Sequence, residues 1–302
     1  MSDVIVALDV GGTSMKCALV DMRGSVVYST NRSTDRERGP DAVVTSIVET
    51  AAELAATPGY RPRAVGLVVP GPVDNERGVA LYSSNIGWRD VPFRRLVEAK
   101  LGLPTALGHD VRAGGLAEAR LGAGRDSRQL LFVAIGTGIA GAHFINGGAL
   151  TGAHGAACEL GHLVVRPNGR VCGCGQRGCV EASASAVQFE RRYAEASGTE
   201  LGAMDIIASV GTDPVAARVW TETIEVLADG FLLGVALLDP DTIVVGGGLA
   251  KSGDALLTPL GAALAQRATF HTVPKLVTAQ LGREAGCVGA ALLGLERLED
   301  TA

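Results

Sequence analysis

Three cysteines and a histidine stand close enough in the chain to bind one metal ion: His162, then Cys172, Cys174 and Cys179, in the spacing His-x9-Cys-x-Cys-x4-Cys. Three thiolates and one imidazole complete the tetrahedral set of a closed, structural zinc site. Gly173, Gly175 and Gly178 allow the sharp turns that bring three sulfurs within about 2.3 Å of one ion. A catalytic zinc would need an open position, and four protein ligands leave none. Without metal, clustered thiols would be an oxidation liability. Binding of this type supplies on the order of 10 kcal/mol of local folding energy, so the loop is expected to collapse when the metal is removed.

A second chemistry lies in the glycine turns. Asp9-Val10-Gly11-Gly12-Thr13 follows an apolar strand, with Lys16 close by. Glycines let backbone N–H groups approach a phosphate closely. Asp9 is placed to hold Mg²⁺ through water, and Thr13 or Lys16 to touch phosphate oxygens. Taken alone, the turn reads equally as an ordinary hairpin, because Asp followed by Gly-Gly makes hairpins often. Gly136-Thr137-Gly138-Ile139-Ala140-Gly141 spells G-x-G-x-x-G. A dinucleotide site would need a helix to open there, whereas Ala142–Ile145 reads as a strand. Two strand–turn–strand elements suit a nucleoside triphosphate better. Gly246-Gly247-Gly248 after a third buried strand offers a side-chain-free surface for an adenosine. No G-x-x-x-x-G-K-[ST] is present, so this is not a P-loop enzyme.

These turns need strands and helices to hold them. The first part predicts strands over Val4–Leu8, Met15–Val20 and Val26–Ser29, then a helix from about Asp41 to Ala56. A strand over Ala64–Val69 runs into Pro70-Gly71-Pro72. A short helix over Pro92–Lys100 and a strand over Thr105–Leu107 lead to His109-Asp110, where a helix to about Leu121 begins. In the second part Gln129–Ile135 reads as a strand that turns at Gly136–Gly138 and continues through Ala142–Ile145. Helices are expected over Ser185–Ala196, Met204–Val210 and Pro214–Leu238, then a strand over Thr242–Val245 and a last helix over Val288–Arg297. This order predicts an α/β protein of two lobes with a cleft between them. Residues 1–108 with 288–302 would form a small lobe, and 109–287 a large lobe carrying the zinc loop. The shared strand–turn–strand plan hints at duplication.

The bulk numbers narrow the class. The 302 residues are 47% hydrophobic and 20% charged, with a net charge of −5. Such a surface repels nucleic acid phosphates. The N-terminus begins directly with a strand and carries no signal-peptide pattern. The apolar stretch Phe231–Leu238 stops at Asp239-Pro240-Asp241, too short to span a bilayer. The expectation is a cytoplasmic protein, where clustered cysteines favour metal over disulfides. Cys17, Cys158 and Cys287 stand apart and read as small buried side chains.

Taken together, the motifs resemble those of the ROK family of sugar kinases and repressors across nearly the whole chain. The resemblance rests on Asp9–Thr13, Pro70-Gly71-Pro72-Val73, Asn85-Ile86-Gly87-Trp88, Gly136-Thr137-Gly138, Glu159-Leu160-Gly161-His162 and the Cys-x-Cys-Gly-x-x-Gly-Cys-x-Glu string ending at Glu181. It implies an actin-like, hexokinase-like (ribonuclease H-like) ATPase fold, Mg-ATP, often a homodimer, and 6-phosphorylation of a glucose-type hexose. By the same resemblance Asp110 is the catalytic base beside the hexose 6-hydroxyl, and Gly71, His109, Glu159, His162 and Glu181 bind the sugar. His162 would bind zinc through one ring nitrogen and a hydroxyl through the other, with the metal fixing its orientation. Three positions depart from the family. His109 stands where its sugar kinases usually carry Asn, a side chain that touches the sugar around the 3- and 4-hydroxyls. Two readings follow: an imidazole that accepts from an amino group, which would favour an amino-deoxyglucose such as kanosamine, or a simple exchange of one hydrogen bond for another, with glucose retained. Ala140 and Ala142 replace usual glycines in the second phosphate turn and would tighten it. Repressors of the family carry a helix-turn-helix segment ahead of the phosphate turn; only eight residues precede Asp9, so the expectation is a kinase. A non-catalytic sugar-binding protein is the remaining rival, and the presence of Asp9 and Asp110 argues against it.

Overall fold

The computed structural model describes residues 1–301. The chain divides into two compact units: Met1–Ala117 with Gly152–Ala156 and the segment from Arg283 onward, and Glu118–Thr151 with Ala157–Gly282.

In the first unit, β1 (Ser2–Val10), β2 (Ser14–Asp21) and β3 (Val26–Ser33) form an antiparallel meander. From Val4 to Val10 every residue of β1 is buried, as befits a central strand covered on both faces. The helix α1 (Pro40–Ala55) starts with Pro at its first position, where the missing N–H costs nothing, and buries Val43, Ile47, Ala51 and Leu54 at helical spacing. It leads to β4 (Tyr60–Val69), parallel to β1. A small antiparallel sheet follows, made of β5 (Val73–Asp74), β6 (Val79–Tyr82) and β7 (Arg89–Val91). Then come α2 (Phe93–Leu101) and β8 (Thr105–His109), which lies parallel beside β4. The main sheet has the order β3-β2-β1-β4-β8. The helix α3 (Asp110–Leu121) leaves β8 without an intervening loop.

The second unit repeats this plan. Its antiparallel strands are β9 (Gln129–Ile135), β10 (Ile139–Ile145) and β11 (Gly148–Leu150). Four helices follow: α4 (Val180–Ala184), α5 (Ala186–Ser197), α6 (Ala203–Ser209) and α7 (Pro214–Leu238). The Asp213 carboxylate caps α7 by accepting the Val215 N–H at 2.7 Å. After it come β12 (Thr242–Gly246), α8 (Asp254–Arg267) and β13 (Lys275–Thr278). The sheet order β11-β10-β9-β12-β13, with β12 parallel to both β9 and β13, matches the first sheet strand for strand. Duplication is therefore visible in topology. Its core gathers Leu131, Val133, Val180, Phe189, Leu227 and Phe231 between the sheet and the helices.

The last helix, α9 (Ala285–Asp300), returns to the first unit and crosses β4, β1 and β8. The crossing is close enough that a side chain at Gly66 of β4 would collide with the Ala290 carbonyl, so only glycine fits. The helix expected from Val288 begins three residues earlier, at Ala285, and that extra turn brings Gly286 against Asp9.

Candidate functional site

In the first unit, the parallel strands β1, β4 and β8 bring their C-terminal ends to one edge of the sheet, the edge where open α/β sheets bind ligands. Asp9 ends β1, Gly71 follows β4, and His109-Asp110 end β8 and open α3. The turn Gly11–Thr13 closes on itself by a Gly11 N–H to Ser14 carbonyl bond of 2.9 Å. Thr34, almost fully buried, pins it from outside: its hydroxyl donates to the Gly11 carbonyl at 2.7 Å and its N–H to the Thr13 carbonyl at 3.0 Å. Nothing in the residue types flagged Thr34. A side chain at Gly12 would touch Asn85 at 3.4 Å, so the Asn85–Trp88 loop borders the turn. A side chain at Gly286 would run into the Asp9 carboxylate, so α9 closes over it. Lys16 Nζ sits 2.7 Å from Asp9 Oδ2.

Asp110 keeps 29% of its side-chain exposure, yet burial is the main cause of a carboxyl lifted to about 7. The charge of Asp9 adds to the rise; the Val111 N–H, which donates to Asp110 Oδ1 at 2.7 Å, and the charge of Lys16 oppose it. A group poised near neutrality is what a general base requires. The His109 ring takes the capping position: its Nδ1 accepts the Arg112 N–H at 3.4 Å and lies 3.5 Å from Asp110 Oδ1. The Arg112 guanidinium donates to the Gly155 carbonyl at 2.7 Å and so anchors the segment 152–156 to α3. Gly71 has φ of +93°, a conformation costly for any other residue, and a side chain there would collide with the Tyr82 carbonyl.

In the second unit, β9 ends in Gly136-Thr137-Gly138, closed by a Gly136 N–H to Gly138 carbonyl bond of 2.9 Å. Gly247 takes φ of +86° against the Ile135 carbonyl, while a side chain at Gly248 would meet nothing within 4 Å. Gly248 thus presents an open, flat surface beside Gly136. Glu159 and His162 share one tight turn, with the His162 N–H donating to the Glu159 carbonyl at 3.0 Å. Glu181, on the first turn of α4, accepts the Ile139 N–H at 2.8 Å, and its other oxygen lies 3.8 Å from Cys172 Sγ. The Ala186 N–H donates to the Gly136 carbonyl at 2.9 Å, a tie that no residue type announced.

The donor atoms of His162, Cys172, Cys174 and Cys179 all lie within 4.8 Å of one another. Cys172 Sγ is 3.6 Å from His162 Nδ1, and Cys174 Sγ is 3.7 Å from Cys179 Sγ. Sulfurs on a tetrahedron about 2.3 Å from an ion stand roughly 3.7 Å apart, so the set fits zinc. Burial pushes the thiols of Cys172 and Cys179 up, the latter to about 12. Cys174 goes the other way, its thiolate favoured by the Gln176 backbone N–H, whereas Cys172 and Cys179 need a cation beside them to ionise. Nδ1 is the ring nitrogen turned to the cluster, which leaves the Nε2 edge of His162 for other work.

The ROK family profile matches residues 5–297. The chain belongs to the ROK family. A glucokinase of Streptomyces coelicolor is 31% identical, the match covering 96% of this chain and 97% of that one. Among solved structures, a ROK hexokinase from Thermus thermophilus superposes with a TM-score of 0.87 at 33% identity, covering 98% and 99% of the two chains. A ROK family glucokinase from Streptomyces griseus, solved with glucose and AMPPNP, gives a TM-score of 0.84 at 29% identity, covering 97% and 99%. The α/β architecture expected from the sequence is that of these ROK kinases. No helix among the described residues is long and apolar enough to cross a membrane.

Proposed function

We propose that this ROK protein transfers the γ-phosphoryl group of ATP to the 6-hydroxyl of a glucose-type hexose, either glucose or an amino-deoxyglucose such as kanosamine. The observation that carries this is Asp110: a carboxylate at a strand–helix junction, poised near pH 7 and next to the Asp9–Lys16 pair of a phosphate turn.

In this reading the 6-hydroxyl gives its proton to an Asp110 oxygen while its own oxygen attacks the γ-phosphorus in line. The new O–P bond forms as the bond to the β-phosphate oxygen breaks, and ADP leaves. Gly71, His109, Glu159, His162 and Glu181 hold and orient the sugar. The backbone N–H groups of Gly11, Gly12 and Thr13, with Lys16, receive phosphate oxygens, as do those of Gly136, Thr137 and Gly138. The adenosine lies along Gly247 and Gly248. Mg²⁺, when bound, neutralises phosphate charge, and Asp9 is the carboxylate placed to hold it through water. His162, Cys172, Cys174 and Cys179 would hold zinc in a structural role, which would fix the His162 ring and leave Nε2 for a sugar hydroxyl.

The same reading makes the protein a cytoplasmic homodimer that takes small-molecule substrates and no nucleic acid. Leu233 and Leu237 stand one helical turn apart on α7, 38% and 74% exposed, an apolar face suited to a second copy. Light scattering should return twice the monomer mass.

The test is an ATP-turnover screen over glucose, mannose, N-acetyl sugars, and 2-amino- and 3-amino-glucose, with phosphorus NMR to locate the new ester. The reading requires ADP release that depends on a hexose and a product phosphorylated at carbon 6. Failure of every hexose to stimulate ADP release would end it.

A further inference from the structure

The second phosphate turn is held by the element that leaves the metal cluster. Cys179, a cluster residue, is also the residue before the first turn of α4. Two residues on, Glu181 sends its carboxylate to the Ile139 N–H at 2.8 Å. Two residues past α4, at the start of α5, the Ala186 N–H donates to the Gly136 carbonyl at 2.9 Å. The turn Gly136–Ile139 is therefore clamped at both ends by a segment of eight residues, Cys179 to Ala186. Glycine at 138 is part of the clamp: a Cβ there would stand 2.5 Å from Glu181 Oε2 and push the carboxylate off its partner.

A five-residue helix has no stability of its own, so its position is set by what holds its ends. One restraint is packing: Val180, Ala182 and Ala184 are buried, and Val180 fits against Gly230 of α7. The other is the cluster, which contains Cys179, the residue directly before the helix. Packing fixes α4 laterally. A metal bound at Cys179 would fix the rotation of the first turn, and that rotation decides whether the Glu181 carboxylate faces Ile139.

We propose that Glu181 is a positioning residue that couples the metal cluster to the phosphate turn, so that metal loading and nucleotide binding strengthen each other. This rests on the kinase reading above, in which Gly136–Gly138 receives phosphate. Coupling between two sites is reciprocal: whatever factor zinc adds to nucleotide affinity, nucleotide must add to zinc affinity. Allosteric couplings of this kind typically begin at about five-fold. The effect is read in the absence of sugar, because Glu181 is also among the residues proposed to hold the hexose.

The experiment compares zinc-loaded and chelator-stripped protein in the absence of sugar. Calorimetry measures AMPPNP affinity, and competition with a chromophoric chelator measures zinc affinity with and without AMPPNP. The expected result is AMPPNP binding at least about five-fold weaker after stripping, with zinc held tighter by the same factor when AMPPNP is present. In the zinc-loaded protein, Glu181→Ala and Gly138→Ala should both weaken AMPPNP and lose the reciprocal effect on zinc. Glu181→Gln keeps an acceptor oxygen for Ile139 and should retain most of the coupling. Zinc-loaded, ligand-free Gly138→Ala should melt within about 2 °C of wild type, which a general loosening of the unit would not allow. Equal AMPPNP affinity in loaded and stripped folded protein, or full coupling in Glu181→Ala, overturns the proposal. Should the stripped protein unfold, unchanged AMPPNP affinity in loaded Gly138→Ala overturns it instead. No AMPPNP binding to the loaded wild-type chain is a different failure, one that removes the kinase reading and this inference together.

Discussion

Lys16 and Asp9 face each other as direct partners on β2 and β1, with Lys16 Nζ 2.7 Å from Asp9 Oδ2. The ammonium therefore answers a largely buried carboxylate at the entrance to the phosphate turn, and its charge also lowers the Asp110 carboxyl. Removing it in Lys16→Met leaves the Asp9 charge to act on Asp110 alone. The Asp110 carboxyl then rises further, and the acidic limb of kcat/KM against pH moves to higher pH. At pH 7 turnover should fall by about ten-fold or more, with partial recovery at pH 8.5. An acidic limb that stays in place would show that Lys16 acts on phosphate alone.

Asp110 makes opposite predictions for activity and stability. In the proposed role of base it must be ionised, so kcat/KM should drop about ten-fold per pH unit below about 7. Asp110→Asn should cost about 10²–10⁴ in turnover, the range of general-base catalysis, while sugar affinity stays within a few fold. For stability the sign reverses. The folded-state carboxyl, at about 7, holds a proton that the unfolded chain has released by about pH 5. Stability from this group is present below about pH 4 and is lost as pH rises to about 7. The asparagine variant should therefore melt higher than wild type at pH 8, by the equivalent of about 1–3 kcal/mol, and the gap should close toward pH 4. Equal melting at pH 8 would mean that the carboxyl titrates normally.

His143 carries a cost with no evident return. It sits on β10 between Leu131 and Leu150, is 3% exposed, and neither ring nitrogen has a hydrogen-bond partner. Burial depresses its basicity. The unfolded chain takes up a proton here below about pH 6.5 that the folded chain refuses, so stability falls with pH in that range. His143→Leu keeps a similar volume and removes both unpaired nitrogens. It should raise stability at pH 7 by about 1–3 kcal/mol and flatten the acid-side decline, as read by denaturant titration at pH 5.5 and 7. A destabilised leucine variant would mean that the ring has a partner in solution.

What could be read from the chain was whatever announces itself by residue type. The zinc set, the two glycine turns and the His109-Asp110 junction consist of residues that chemistry singles out, and the buried runs of β1, β4 and β9 are long and apolar. Structure held together by backbone left no such mark. Thr34 closes on the first turn from a polar stretch, and Ala186 meets Gly136 through main-chain atoms alone. Glu118 is fully buried and takes N–H groups from Ala123, Gln280 and Leu281, the last two more than 160 residues away. The small sheet β5–β7 is too short for any period to show. The helix α8 was hidden by Pro259 in its interior, and β13 by its half-exposed, mixed composition.

His109→Asn separates the two sugar readings. The His109 ring ends β8, and its Nδ1 serves the first turn of α3 by accepting the Arg112 N–H at 3.4 Å. Asparagine is among the best residues for that duty, so the variant should fold and keep the Asp110 geometry. Any change in sugar preference would then report on residue 109 itself rather than on helix α3. A buried site that pairs with a particular polar substituent rejects the analogue lacking it strongly, by up to about 10⁴-fold. If His109 reads an amino group, wild type should prefer 3-amino-glucose, and the asparagine variant should shift the ratio of kcat/KM values toward glucose by at least about ten-fold. If the imidazole only exchanges one hydrogen bond for another, the ratio should move by less than about three-fold and glucose should be the better substrate of both proteins. Melting temperature, measured alongside, guards the comparison: a variant that melts within about 2 °C of wild type has lost no appreciable support at the helix start.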